Sequence, residues 1–301
     1  LAAVLIAVAV ITAPPIAQGS YYSTTYYNIY YYDSTQQAWA KNIVAYLSRA
    51  FGAAKTTMGY DARKGKINIY FYKLKDGNDS YMYRGKQDIH LNLYYIGLNH
   101  FTSEKVGSLV AHETAHILFF NYTGADKWNS SYQISWYRTF LTEALSWYAG
   151  YYVYNSGKYT SSSAYSEIRA KLKYYYGITK TTISWWNSGY IYEAGTNIGS
   201  LKSQNQWQLR AIGWYLTGGK LTSSSSNVQR LLYQMKAYSS SSGYYLRSSS
   251  WATAQNYFES CFKYAYGRYA NAGWIYCAST WHGEYKNTKY LYGSFWYSFY
   301  N

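Results

Sequence analysis

A chain of 301 residues with 49% apolar side chains is long and apolar enough to bury a large core, which excludes a disordered protein. Its net charge of +15 reflects a shortage of acids, with 13 Asp and Glu against 28 Lys and Arg. No dense Lys/Arg run occurs, so nucleic acid is not an expected partner; a solvated basic surface or tolerance of acid accounts for the charge.

The chain begins with a small-apolar run, Leu1 to Thr12, followed by Ala17 and Gly19 at positions suited to cleavage. At about 20 residues needed to cross a bilayer, the run is too short for a spanning helix. Residues 1–19 read as a signal peptide, or as a retained apolar segment for membrane or cell-surface association, or for assembly into an oligomer or filament. The 44 tyrosines, mixed with Ser, Asn and Gly, fit an extracellular or cell-surface setting, as do acceptor patterns for N-glycans at Asn78, Asn121 and Asn129.

Thr24 to Tyr32 reads as a first strand. Asp33 and Ser34 cap a helix from Thr35 to Phe51, which Gly52 ends. Lys66 to Lys73 and Asp88 to Tyr95 alternate as strands, with a short segment Tyr81 to Tyr83 between them. Thr102 or Ser103 caps an apolar helix over Val106 to Phe120. Beyond Tyr122 the pattern becomes helical: Ser131 to Tyr154, Ala164 to Tyr176, Thr182 to Trp186, Gln204 to Leu216, Asn227 to Ala237 and Trp251 to Tyr266. Serine runs lie where these helices start and stop. Cys261 and Cys277 are expected to form a disulfide in an oxidising compartment, with two free thiols as the alternative.

The chemistry is concentrated in His112-Glu113-Thr114-Ala115-His116. Four positions apart on a helix, the two histidines project from one face and can hold one metal ion, and Glu113 can deprotonate a water activated by that metal. Five His and seven Glu in the chain would produce H-E-x-x-H by accident roughly 0.002 times. A hydrolytic zinc site needs a third protein ligand. Only Asp126 and Glu143 follow within 50 residues. Asp126 falls in a polar linker, whereas Glu143 interrupts the apolar run Phe140 to Tyr148, where a lone buried carboxylate is costly unless it binds a cation. Glu143 is therefore the expected third ligand.

H-E-T-A-H followed by F-L-T-E-A-L-S-W-Y-A, with 26 residues between His116 and Glu143, resembles the gluzincin metallopeptidases, in particular the branch whose second motif reads W-L-x-E-G-L-A-x-Y. The likeness extends to the Tyr-rich opening strand and to the closing segments Leu209 to Leu216, Val228 to Tyr238 and Phe258 to Gly267. Two positions depart from the pattern. Ala144 replaces a glycine, and Trp147 stands where thermolysin-like relatives place an Asp that orients a zinc histidine. A backbone carbonyl, amide or hydroxyl must then take over that role.

The resemblance implies an α+β fold, with a zincin-like α/β subdomain over 20–121 and a mainly helical subdomain over 122–301 that carries the third ligand and an aromatic-rich tail. It implies a Zn²⁺ ion on His112, His116 and Glu143, Glu113 as general base, and a peptide or protein substrate. A further donor to the oxyanion is expected between Ser188 and Trp207, with Tyr190 and Tyr192 as candidates. The strand Asp88 to Tyr95 is expected to pair with an extended peptide. The alternative function is an extracellular surface or filament-forming protein built on a metallopeptidase scaffold.

Overall fold

The computed structural model describes residues 20–75, 79–83, 86–98, 100–124, 141–176, 190–191, 203–240, 251–267, 277–279 and 286–290. Residues 1–19, and with them the expected export or assembly segment, lie outside the described residues. Among the described residues no helix is long and apolar enough to cross a membrane.

The fold is mixed α and β. The first half runs β1 (Ser20–Ser23), β2 (Tyr27–Tyr31), α1 (Ser34–Met58), β3 (Ile67–Tyr72), β4 (Ser80–Met82), β5 (Asp88–Asn92), α2 (Leu93–Leu98) and α3 (Ser103–Thr123). Its five strands form one sheet in the order β1-β2-β3-β5-β4. The three inner strands are parallel, and the two edge strands run antiparallel to their neighbours. Alternation sends Tyr27, Ile29, Ile67, Ile69, Phe71, Ile89 and Leu91 to one buried face, which α1 and α3 cover.

Three local expectations are corrected. Thr24 to Tyr32 is not one strand: Thr24 Oγ1 accepts from Tyr27 N at 3.0 Å, turning the chain between β1 and β2. The helix α1 does not stop at Gly52 but runs six residues further and ends at Gly59, which adopts φ 78°. Burial of Phe51, Ala54 and Met58 outweighs the ~1 kcal/mol cost of a helical glycine. The strand expected to reach Tyr95 stops at Asn92. There the Asn92 amide bonds Leu74 O at 2.7 Å, and its Oδ1 accepts from Tyr94 N at 3.1 Å, capping α2.

The outward face of the sheet explains part of the tyrosine content. Tyr21, Tyr30, Tyr70, His90 and Tyr81 form an in-register aromatic row across all five strands, with successive ring centroids 4.8–5.4 Å apart. Beside it runs a polar row, in which Ser23 bonds Asn28, Asn28 bonds Asn68, and Asn68 bonds Asp88.

The second half begins with helical residues 141–148 (α4), which pass into a π-helical turn at Ala149–Val153. The expected helix from Ser131 thus ends in a wider turn, and its first ten residues lie outside the described residues. Then come α5 (Ser161–Tyr176), β6 (Tyr190–Ile191), α6 (Ser203–Thr217), α7 (Ser226–Ser240), α8 (Trp251–Tyr266), β7 (Cys277–Ser279) and β8 (Lys286–Tyr290). The last strands form a small sheet in the order β6-β8-β7. The helix expected at Thr182 to Trp186 lies outside the described residues. Several serine runs do mark helix ends, at Ser161 and Ser226 for example. The two halves interlock: α7 packs on α3, Tyr60 Oη donates to Gln229 O at 3.0 Å, and Lys236 Nζ lies 4.9 Å from the centroid of the Tyr122 ring.

Cys261 is buried in α8 and forms no disulfide among the described residues. The side chain of Cys277, and with it the expected disulfide, lies outside the described residues. Of the three glycan acceptors, Asn78 and Asn129 also lie outside. Asn121 is in the last turn of α3, and the Thr123 of its acceptor pattern is buried with its hydroxyl on Phe119 O, which argues against a glycan on the folded chain.

His90, stacked between Tyr70 and Tyr81, is pushed down from 6.5 to about 4 by burial, against the pull of Asp88 and with a push from Lys86. A depressed folded-state value means the neutral ring's contribution is whole above pH 6.5 and is lost as pH falls through about 4. His90→Gln should therefore lose less stability than the wild type between pH 7 and pH 4 in thermal unfolding. Equal losses would contradict this assignment.

Candidate metal centre

The motif lies on α3, whose start is fixed by Thr102 accepting from Lys105 N, with Glu104 in the first turn. Its end is fixed by Gly124 at φ 68°, whose N–H bonds Phe120 O. Every residue from Val110 to Phe120 is buried, so the helix is enclosed on all sides and its ionisable groups are held away from bulk water. Tyr27 Oη and Thr114 Oγ1, 2.8 Å apart, tie the middle of the motif to β2.

His112 Nε2 and His116 Nε2 lie 3.0 Å apart. The α4 helix brings Glu143 against both, with Oε2 3.7 Å from His112 Nε2 and Oε1 3.3 Å from His116 Nε2. An ion with tetrahedral bonds of about 2.0–2.1 Å sets its ligand atoms about 3.3 Å apart, and the observed separations bracket that value. His112, Glu113 and His116 form a buried group that could hold a metal ion, their nearest ligand atoms within 4.8 Å of one another. Glu143 converges on the same point.

Electrostatics favour a cation there. Burial pushes His112 down to about 3, helped by the charge of Arg210, and pushes His116 well below its ordinary value, so both imidazoles are neutral lone-pair donors at neutral pH. Burial raises Glu113 to about 7, and burial together with the Glu113 charge raises Glu143 to about 8. Two carboxylates and two imidazole lone pairs this close in an apolar interior repel one another, and the raised Glu113 and Glu143 values show that protons relieve that repulsion when no cation does; a bound cation would take the protons' place.

With no acid at position 147, the outer contacts come from elsewhere. His116 Nδ1 lies 2.7 Å from Thr142 Oγ1, which orients Nε2 toward Glu143. His112 Nδ1 makes no well-formed hydrogen bond, although the main chain of Ser146 lies close enough to favour its protonated form. Trp147 packs edge-on to the His112 ring at 4.7 Å, and its indole N–H makes no well-formed hydrogen bond although it lies close enough to Glu143 to favour the charged carboxylate. Behind it the buried Arg210 guanidinium lies 3.8 Å from the Tyr151 ring centroid, 4.4 Å from Trp207 and 5.2 Å from Trp147.

The structure brings together His112, Glu113, His116 and Glu143. Tyr192, Asp126 and the side chain of Tyr190 lie outside the described residues. The expectation that Asp88 to Tyr95 offers a free edge to a peptide is corrected, because β5 is an inner strand paired with β3 on one side and β4 on the other. Sequence reasoning missed Ser80, whose Oγ donates to Glu113 Oε1 at 2.7 Å, as well as Thr142 and Arg210. Thr142 was within reach of the argument used for Glu143, being polar in the same apolar helix. Ser80 and Arg210 carry no such signal. Compared with protein-family models, with curated proteins and with solved structures, the chain matches none.

The two metal-site helices meet through glycine. A Cβ on Gly150, in the π turn, would lie 2.7 Å from Ser108 O and 3.1 Å from His112 Cβ, and Ser108 Oγ donates to Gly150 O. Gly150→Ala should cost about 1–3 kcal/mol of stability and weaken metal binding by displacing His112. Denaturant unfolding and a metal titration read both effects; unchanged values would contradict the close approach.

Proposed function

We propose that the chain is a zinc peptidase of gluzincin type that hydrolyses peptide bonds with Glu113 as general base. The observation that carries this reading is the convergence of His112, His116 and Glu143, at separations of 3.0–3.7 Å, on one buried point beside a further carboxylate. Two imidazole nitrogens with one carboxylate suit zinc, whereas calcium and magnesium favour all-oxygen sets. In this reading residues 20–121 form a zincin-like subdomain, and 122–301 a helical one that carries the third ligand.

Bound at these residues, zinc supplies Lewis-acid polarisation of the scissile carbonyl and lowers the pKa of a water molecule. Glu113 takes the proton of the attacking water and returns it to the amine as the C–N bond breaks. Burial raises Glu113 above the ordinary carboxyl value in the metal-free site, and the charge of a bound ion would act in the opposite direction. The neutral histidines and Glu143 leave the site one net positive charge, which favours that chemistry.

The substrate is an extended stretch of polypeptide. Among the described residues β4 has one strand neighbour, β5, and its other edge faces outward beside Glu113. A peptide strand added there would satisfy its main-chain groups and pass the base. The apolar residues 1–19 and the Tyr, Ser, Asn and Gly content support an extracellular or cell-surface setting. The reading as a surface or filament-forming protein draws on those same features and leaves the four buried ionisable groups without a purpose.

The test compares zinc-loaded wild type with Glu113→Gln on fluorescein-labelled casein. Wild type should cleave casein, lose activity to a chelator and recover it with zinc. Glu113→Gln should keep stoichiometric zinc and lose about 10²–10⁴-fold in rate. A zinc-loaded wild type that cleaves no unfolded protein, or an active Glu113→Gln, sinks the reading.

A further inference from the structure

We infer that Ser80 is a positioning residue that joins the edge receiving the substrate backbone to the general base; the inference rests on the peptidase reading above. Ser80 opens β4 and stands opposite Leu91, a buried residue of β5. Residues opposite one another in a sheet point to the same face, so the Ser80 side chain turns inward toward α3. Its hydroxyl donates to Glu113 Oε1 at 2.7 Å, where the Glu113 side chain is almost wholly buried. With Oε1 engaged, Oε2 is the oxygen left to take the proton of water.

The main chain of the same residue faces the other way. Asn92 N donates to Asp79 O at 2.9 Å, which makes that pair a hydrogen-bonded one. Pairs alternate along an antiparallel ladder, so Tyr81 and His90 share the next set of bonds. Ser80 and Met82 then direct their N–H and C=O groups away from β5, toward the outer edge. One residue therefore offers its backbone to an incoming strand and its hydroxyl to Glu113. A peptide that pairs with this edge fixes the Ser80 main chain, and through it the orientation of the base.

The experiment uses the full zinc-loaded chain and fluorescein-labelled casein, with Ser80→Ala and Ser80→Thr beside the wild type. Loss of one hydrogen bond to a charged group should lower kcat about 10-fold in Ser80→Ala. KM and zinc content should stay at wild-type values, the melting temperature should fall by no more than a few degrees, and Ser80→Thr, which keeps a hydroxyl, should regain most of kcat. Ser80→Ala with wild-type kcat, a change in KM alone, or Ser80→Thr as slow as Ser80→Ala would each overturn the inference while leaving the peptidase reading in place. A zinc-loaded wild type without activity would overturn both.

Discussion

The burial of four ionisable side chains at one point is the constraint on which the rest depends. His112, Glu113, His116 and Glu143 are all nearly inaccessible to solvent, and a carboxylate moved out of water is tolerated only with a compensating charge. The Arg210 guanidinium is buried nearby, packed among Trp147, Tyr151 and Trp207, and its charge helps to keep His112 neutral. A metal ion held between the imidazoles and Glu143 would resolve the repulsion. Metal affinity would then stabilise the native chain directly, by mass action.

The scaffold serves that point by close approach of helices. Glycines at 107, 150 and 213 lie where a Cβ would collide with Tyr154, with His112 and Ser108, and with Ala144 and Tyr148 respectively. These contacts set α3 against the π turn, and α4 against α6, at backbone distance. The π turn itself bonds Tyr154 N to Ala149 O. Its Gly150 carbonyl accepts from Ser108, tying the turn to α3 four residues before His112. Tyr154 closes the far side, with Arg49 on its hydroxyl and over its ring.

What could be read in the sequence was local or was dictated by solvation. The spacing of His112 and His116 fixes their common face, and the isolation of Glu143 in an apolar helix marks it as a partner to something charged. The lack of an acid at Trp147 required a hydroxyl or a carbonyl in its place, and Thr142 supplies the hydroxyl to His116. Tertiary contacts hid the rest. Gly52 reads as a helix end because its cost is local, while the burial that offsets it comes from packing on α3 and on the sheet. Leu93 to Tyr95 read as strand because the bonds of Asn92 to Leu74 and Tyr94, which start α2, are invisible in an alternating pattern. Ser80 meets Glu113 only because β4 returns beside β5, and no periodicity signals that.

The central claim is that one zinc ion is held by His112, His116 and Glu143. X-ray absorption at the zinc edge of the purified full chain tests it most directly. The expected spectrum shows one zinc per chain, with two imidazole nitrogens and light oxygen donors at about 2.0–2.2 Å, and the bound ion is lost in Glu143→Ala. Sulfur donors at about 2.3 Å, or full zinc retention in Glu143→Ala with an unchanged spectrum, would contradict it.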